Sequence, residues 1–339
     1  MGHIIFSENS RLNDSLYGRT EAPIKAFLTK RGEELEAESM LKNIYNMETS
    51  THWAEQYGGM TAMEGFKDVG ENGEYPVTGY QEGYSQIIEN NTWKNSFAIS
   101  KEMIDDGRVI DMKKRPDAFM VSFVRTQETY GAAALGAAIQ NQSQMTFHGK
   151  KYNIKCADGS NLFAKKSAGH TPKVKGGSQS NWFSDAFSAD ALAYAESAMQ
   201  DFRDDDGNLL DIAPDTIIIP NDAALKKAVF EAIGSDKDPS TTNNAFNYQY
   251  GRWNVIVWHY LNQYIAANTK PWILLDSKAN NTYHGLVFQE REALTIKNRI
   301  DEDNDACIWS GRARFGIGFV DWRCIALGGI SGGDQLIST

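Results

Sequence analysis

An α+β fold is what this 339-residue sequence predicts, on three observations. Between Pro116 and Gln142, apolar residues recur at spacings of three and four, the signature of a long amphipathic helix. The second half carries short β-branched and aromatic runs such as TIIIP, WNVIVWHYL and KPWILLDSK, which read as strands. Residues 66–100 are dense in glycine and aromatic residues and read as a long β-hairpin.

The totals set the class. Charged residues are 23% of the chain, without a long polar tract, which is the composition of a folded protein with room for two or three domains. A formal net charge of −10 argues against wrapping nucleic acid through a general basic surface. It leaves room for a protein that lies near nucleic acid without gluing itself to it. Cys156, Cys307 and Cys324 are widely spaced and form no CxxC pair, so neither a zinc site nor a disulfide framework is expected. The N-terminus, MGHIIFSENSRLND, lacks a basic flank and a cleavage site, and no apolar run approaches the roughly 20 residues of a bilayer span. A chain neither exported by a standard signal nor embedded in a membrane is expected.

Taken in order, the first 60 or so residues read as an arm, with 20–32 as mixed loop and Glu33 to Tyr45 as a short helix presenting Leu35, Leu41, Ile44 and Tyr45. The hairpin at 66–100 has little apolar content of its own to bury, and a lone two-stranded hairpin is marginal in water. Next comes the long helix, with Pro116 in its first turn and a length of about 37 Å at 1.5 Å per residue. Gly131 and Gly136 each cost about 1 kcal/mol of helix propensity, so tertiary packing must support the rod. A second helix starts from a Ser188 cap, with Leu192, Ala195, Met199 and Phe202 on one face. TIIIP is a buried strand, Asn221 caps a third helix stopped by Gly234, and 235–247 is a polar loop. Two long strands with a polar turn at DEDND close the chain.

The chemical inventory is thin. LFAKKSAGHTPKVKGGSQSNWF, residues 162–183, has two lysines and a Gly-Gly pair, but its lysines precede Gly169 and no GK[ST] ending follows. Placing Gly207 or Ala306 sixth in an EF-hand loop leaves Ala213 or Arg312 at the twelfth position. Both acidic runs therefore read as solvated turns, with a weak cation contact at Asp301, Asp303 or Asp305 as the alternative. The six histidines show no HxH or HxxxH spacing, and no GxSxG elbow occurs. No catalytic residue, cofactor site or metal site is expected.

Four stretches, in order, carry a resemblance. EYPVTGYQEGYSQIIENNTWKNSFAISKEMIDDG, LFAKKSAGH, DDDGNLLDIAPDTIIIPNDAALKKAVFEAI and GRARFGIGFVDWRCIALGG together resemble the major capsid proteins of tailed bacteriophages, with the Hong Kong 97-like fold, nearest to the Mu-like major head subunit group. The resemblance implies an N-arm at 1–65, an E-loop hairpin at 66–100, and a spine helix with the first part of the P-domain at 101–187. An A-domain at 188–290 and closing P-domain strands at 291–339 complete it.

It further implies a structural shell subunit of the virion, assembled in the host cytoplasm into hexamers and pentamers of an icosahedral head. Portal and scaffolding proteins are expected partners, with double-stranded DNA nearby but not bound by sequence. A scaffold encoded separately is expected because Met1 leads almost directly into the arm. Some relatives join an E-loop lysine to a P-domain asparagine; Lys67, Lys94, Asn298 and Asn304 are this chain's counterparts by region, and no motif aligns them. Contacts between subunits are expected at Leu41, Tyr45, Tyr75, Tyr80, Tyr84, Ile87, Trp93, Lys94 and Phe97. The competing readings are an encapsulin-type compartment shell and a soluble α/β enzyme.

Overall fold

The computed structural model describes residues 4–6, 15–58, 66–71, 74–75, 77, 84–170, 177–234 and 246–337. The first part of the chain holds β1 (Ile5–Phe6), α1 (Ser15–Ala37), α2 (Leu41–Ile44), β2 (Asn46–Thr49), β3 (Ala54–Gly58), β4 (Ser85–Glu89) and β5 (Asn91–Ile99). Then follow α3 (Lys101–Asp105), α4 (Val109–Ile139), β6 (Gln144–Phe147), β7 (Lys150–Asn153), α5 (Ala189–Gln200), β8 (Thr216–Ile219) and α6 (Ala223–Ile233). The last part holds β9 (Asn254–Val257), β10 (Trp272–Leu275), α7 (Ser277–Thr282), β11 (Leu286–Asp301), β12 (Ala306–Phe319) and β13 (Ile325–Gly328).

The α+β expectation holds. α4 is longer than the periodicity indicates: its 31 residues span about 46 Å, and Pro116 lies inside it, not in its first turn. The added turns run VIDMKKR, with Ile110 exposed and Asp111 paired to Arg108 at 2.8 Å, so their apolar residues do not continue one buried face. Gly131 and Gly136 have a reason. A Cβ at Gly131 would run into Leu41, and one at Gly136 would meet Tyr264 at 2.5 Å, so both glycines let a neighbouring element approach the helix closely.

Two sheets flank this rod. The larger has the order β1–β11–β12–β5, with β2 also pairing on β11. The smaller has the order β13–β10–β8–β9, and β8, β10 and β13 are buried at every position. That burial on both faces is why TIII, WILL and IALG are continuous apolar runs without alternation. The Ser188 cap is present, its hydroxyl accepting from Ala191 N at 3.0 Å, and Leu192, Ala195, Met199 and Phe202 are buried. The third helix is capped by Asp222, whose carboxylate accepts from Leu225 N at 2.8 Å; Asn221 instead accepts from Lys226 Nζ.

Further expectations need correction. The stretch 20–32 is helical, not loop, because α1 lays Ile24 and Leu28 against α4 and ties Arg31 to Asp117 at 2.7 Å. Helices gain most of their stability from such docking, so sparse apolar spacing and Pro23 did not reveal it. The arm does not need a second copy to order its described residues: β1 and β2 pair parallel with β11 of the same chain. Beyond that, Glu128 of α4 accepts from Ser39 Oγ (2.6 Å), Leu41 N (3.1 Å) and Trp258 Nε1 (2.8 Å), stitching the arm, the rod and the smaller sheet together.

Another correction concerns the hairpin. It is built not over 66–100 but by β3 pairing antiparallel with β4, while β5 leaves to join β12. The polar turn DDDGN is likewise not solvated throughout, since Asp204 and Asp205 are buried. The loop 235–245 lies outside the described residues.

Candidate assembly interface

The root of the hairpin is fixed by a compact polar clamp. Glu55 Oε1 accepts from Ser50 Oγ (2.9 Å), Thr51 N (3.0 Å) and His52 N (3.2 Å). Asn90, between β4 and β5, donates from Nδ2 to Ser50 Oγ and His52 O, both at 2.9 Å, and its own N–H reaches Trp53 O. The hydroxyl and amide donors hold the Glu55 carboxyl down at about 2, below the usual carboxylate range. A depressed value stabilises the folded clamp above the unfolded pKa of about 4.5 and loses that contribution as pH falls toward 2. Amide exchange at Thr51 and His52 is therefore expected to accelerate between pH 4.5 and 2 relative to exchange in α4. In Glu55→Gln it is expected to be fast at every pH.

Above the clamp, β4 sits on one face of β12. Ile88 packs against Val287 and Val320, and Tyr57 donates to Gln289 Oε1 at 3.0 Å. Gly316 and Gly318 leave the room: a Cβ at Gly318 would lie 2.6 Å from Ile88, and one at Gly316 would strike the carbonyl of Glu89. From this root the chain projects outward. Phe66, Tyr75 and Val77 are essentially fully exposed, and Val69 is 45% exposed. Three bulky apolar side chains without cover on one short segment form an exposed apolar patch.

The expected contact residues divide sharply. Tyr75 and Ile87 (59% exposed) face outward, Tyr84 is half-buried at the hairpin base, and Lys94 is exposed on the sheet. Tyr80 lies outside the described residues. Leu41 and Tyr45 are corrected to internal packing: both are buried, and Tyr45 Oη donates to Gly131 O at 2.8 Å. Trp93 and Phe97 also serve the chain's own core. Trp93 stacks on Phe315 with centroids 5.0 Å apart, and Phe97 lies against Phe119 at 5.2 Å. Their strand pairs with β12, so their inward faces are already covered.

A second exposed set lies elsewhere in the chain. Tyr194 of α5, Phe230 of α6, and Phe246, Tyr248 and Tyr250 beyond the 235–245 loop are each at least half exposed. Among the described residues no group of three or more His, Cys, Asp or Glu side chains could hold a metal ion, and no helix is long and apolar enough to cross a membrane.

A family profile described as phage capsid protein matches residues 83–327. The chain belongs to the phage capsid protein family. This capsid protein is thus a structural subunit of a phage head, and the match leaves the arm and most of the projection outside it. No curated protein matches its sequence. Among solved structures, it is similar to the capsid of an empty GTA particle (13% identity, 86% of this chain and 89% of that one, TM-score 0.48). It is also similar to the procapsid of bacteriophage JBD30 (15%, 90% and 73%, 0.43) and to a virus-like particle from Pyrococcus furiosus (11%, 91% and 98%, 0.47).

Proposed function

We propose that this capsid protein builds hexamers and pentamers of an icosahedral shell around double-stranded DNA, and that its role involves no chemical step. The observation that carries this reading is the projection between β3 and β4, whose Phe66, Tyr75 and Val77 find no cover on their own chain. Each such side chain gains about 1.5–3 kcal/mol on burial, so a neighbouring copy that covers them is strongly favoured. Many such contacts per particle add by multivalency, which lets capsomers form reversibly while the closed shell persists.

The aromatic set around 235–245 gives a second contact, where copies meet about a capsomer axis. Portal and scaffolding proteins complete the particle, assembled in the host cytoplasm. The −10 charge suits a wall that holds DNA without adhering to it. Negative-stain microscopy of the expressed protein, alone and with a scaffolding protein, tests the reading. Closed particles or hexameric rings are expected. Persistent monomers at high concentration in both conditions would overturn it.

A further inference from the structure

A glutamate on the buried face of a helix is rarely left without a cation, because a carboxylate taken out of water must be paired or hydrogen-bonded throughout. Glu128 of α4 is 4% exposed, yet among the described residues no Lys, Arg or His nitrogen lies within 4.0 Å of it. Its charge is met instead by three neutral donors, divided between its two oxygens. Oε1 accepts from Ser39 Oγ at 2.6 Å and from Leu41 N at 3.1 Å, both in the arm. Oε2 accepts from Trp258 Nε1 at 2.8 Å, immediately after β9 of the smaller sheet. Trp258 is wholly buried, and its backbone N–H extends that sheet by donating to Ile219 O at 2.9 Å. One oxygen thus holds the arm and the other holds the smaller sheet.

The division matters because of what the donors cannot do. A backbone N–H and an indole N–H only donate, so each side of the junction demands an acceptor. An ionised carboxylate presents two acceptor oxygens, whereas a protonated carboxyl or a carboxamide turns a donor outward on one side. Facing Leu41 N or Trp258 Nε1, that donor would leave two buried donors opposed, and neither element has room to step aside. One helical turn on, at Gly131, a Cβ would run into Leu41 and lie 3.3 Å from Tyr45 and 3.4 Å from Trp258, so the same three elements already touch there. Tyr45 cannot serve as a substitute acceptor, because it is committed to Gly131 O at 2.8 Å. The charged groups that these elements carry nearby are engaged or turned to solvent: Lys42 pairs with Glu36 at 2.6 Å, and Glu38, Arg125 and His259 are exposed.

We propose that Glu128 is a two-sided coupling residue, whose ionised carboxylate lets the arm and the smaller sheet dock on α4 together, while a neutral group in its place holds one of them only. The junction is a conformational device: it makes three elements one body, and the arrival of a single proton divides them. Two donors stand on the arm side against one on the other, so a neutral group turns its remaining acceptor to the arm and Trp258 is released. The coupling is a property of the single chain, and its failure would leave the shell reading standing.

Glu128→Gln tests it, since an amide fixes the neutral arrangement at nearly the same shape. Hydrogen exchange of the Trp258 indole N–H and of the Leu41 amide, followed by nuclear magnetic resonance on the intact chain, reads the two sides separately. In Glu128→Gln the indole hydrogen is expected to exchange roughly tenfold faster while the Leu41 amide keeps its protection. In Glu128→Leu both are expected to accelerate. Trp258→Phe removes the indole donor and keeps an apolar ring. It is expected to lower the urea midpoint of the unsubstituted chain and to raise that of Glu128→Gln, where it relieves two opposed donors; simple loss of packing would act in the same direction in both. Unchanged protection on both sides in Glu128→Gln, equal loss on both sides, or a Trp258→Phe effect of one sign in both backgrounds would each overturn the coupling. Infrared spectroscopy carries the test should Glu128→Gln not fold. At neutral pH the difference between the unsubstituted chain and Trp258→Phe is expected among the ionised carboxylate bands, and a difference confined to the protonated carbonyl band would overturn the proposal.

Discussion

Excising residues 66–77 leaves a chain that folds as well as the intact one and closes no shells. The two halves of this expectation have separate causes. Stability is spared because the described residues of the segment are exposed and the root beneath them is held independently, by Glu55 and Asn90 and by Ile88 on Val287 and Val320. Surface changes away from packed features stay within about 0.5 kcal/mol. Shortening the connection from Gly58 to Ser85 by nearly half even returns about 0.5 kcal/mol of loop-closure entropy.

Assembly is lost because Phe66, Tyr75 and Val77 are the bulky apolar groups whose burial requires another copy. At about 1.5–3 kcal/mol each, their removal weakens every contact they make by a factor of at least 10³, and the loss is repeated at each subunit of the ring. Urea unfolding of the monomer and sedimentation of the assembly reaction measure the two halves. An excised chain that still forms closed particles would place the driving contacts elsewhere.

How far the residues alone disclose this architecture depends on what fixes each element. The α4 rod, the buried strands TIII and WILL, the Ser188 cap and the β11–β12 pair are local in origin, set by periodicity and end groups that any short window contains. The hairpin boundary was not legible for a different reason. Asn90-Asn91 has the composition of a turn, yet Asn90 is buried and its amide bonds to Ser50 and His52, so the chain runs straight on while the two flanking strands part to different partners. Leu41 and Tyr45 are expected from the sequence at a contact between subunits, but the surface they meet is α4 of their own chain, and only the tertiary fold decides that. A cationic face on the larger sheet is invisible for the same reason. Lys94, Lys297 and Arg312 lie far apart in sequence, and each reads singly as the wet side of a strand; the register of β5 on β12 on β11 makes them neighbours.

Arg323→Leu is the substitution expected to cost the most stability. Its guanidinium is buried where the chain passes from the larger sheet to the smaller, with Nη2 donating to Asp205 and Nη1 to Asp321, both at 2.8 Å, and Nε to Arg203 O at 3.0 Å. The neighbouring Trp322 ring stacks on His170 with centroids 4.1 Å apart, and His170 Nδ1 meets Asp158 Oδ2 at 2.6 Å. Although burial disfavours the charged guanidinium, Asp321 and Asp205 overcome it and raise the Arg323 pKa, so the cation is the state the fold selects. Removing it strands two buried carboxylates, a loss of about 3–5 kcal/mol. Arg323→Lys is expected to retain part of this, because an ammonium supplies the charge but not the planar fork that serves three acceptors at once. The deficit belongs to the stranded charges and not to the lost side-chain volume, so Arg323→Leu/Asp205→Asn/Asp321→Asn is expected to recover more than half of it. Urea unfolding of the four chains decides the matter. If the triple variant is no more stable than Arg323→Leu alone, packing against Trp322 accounts for the loss and the charge argument is wrong.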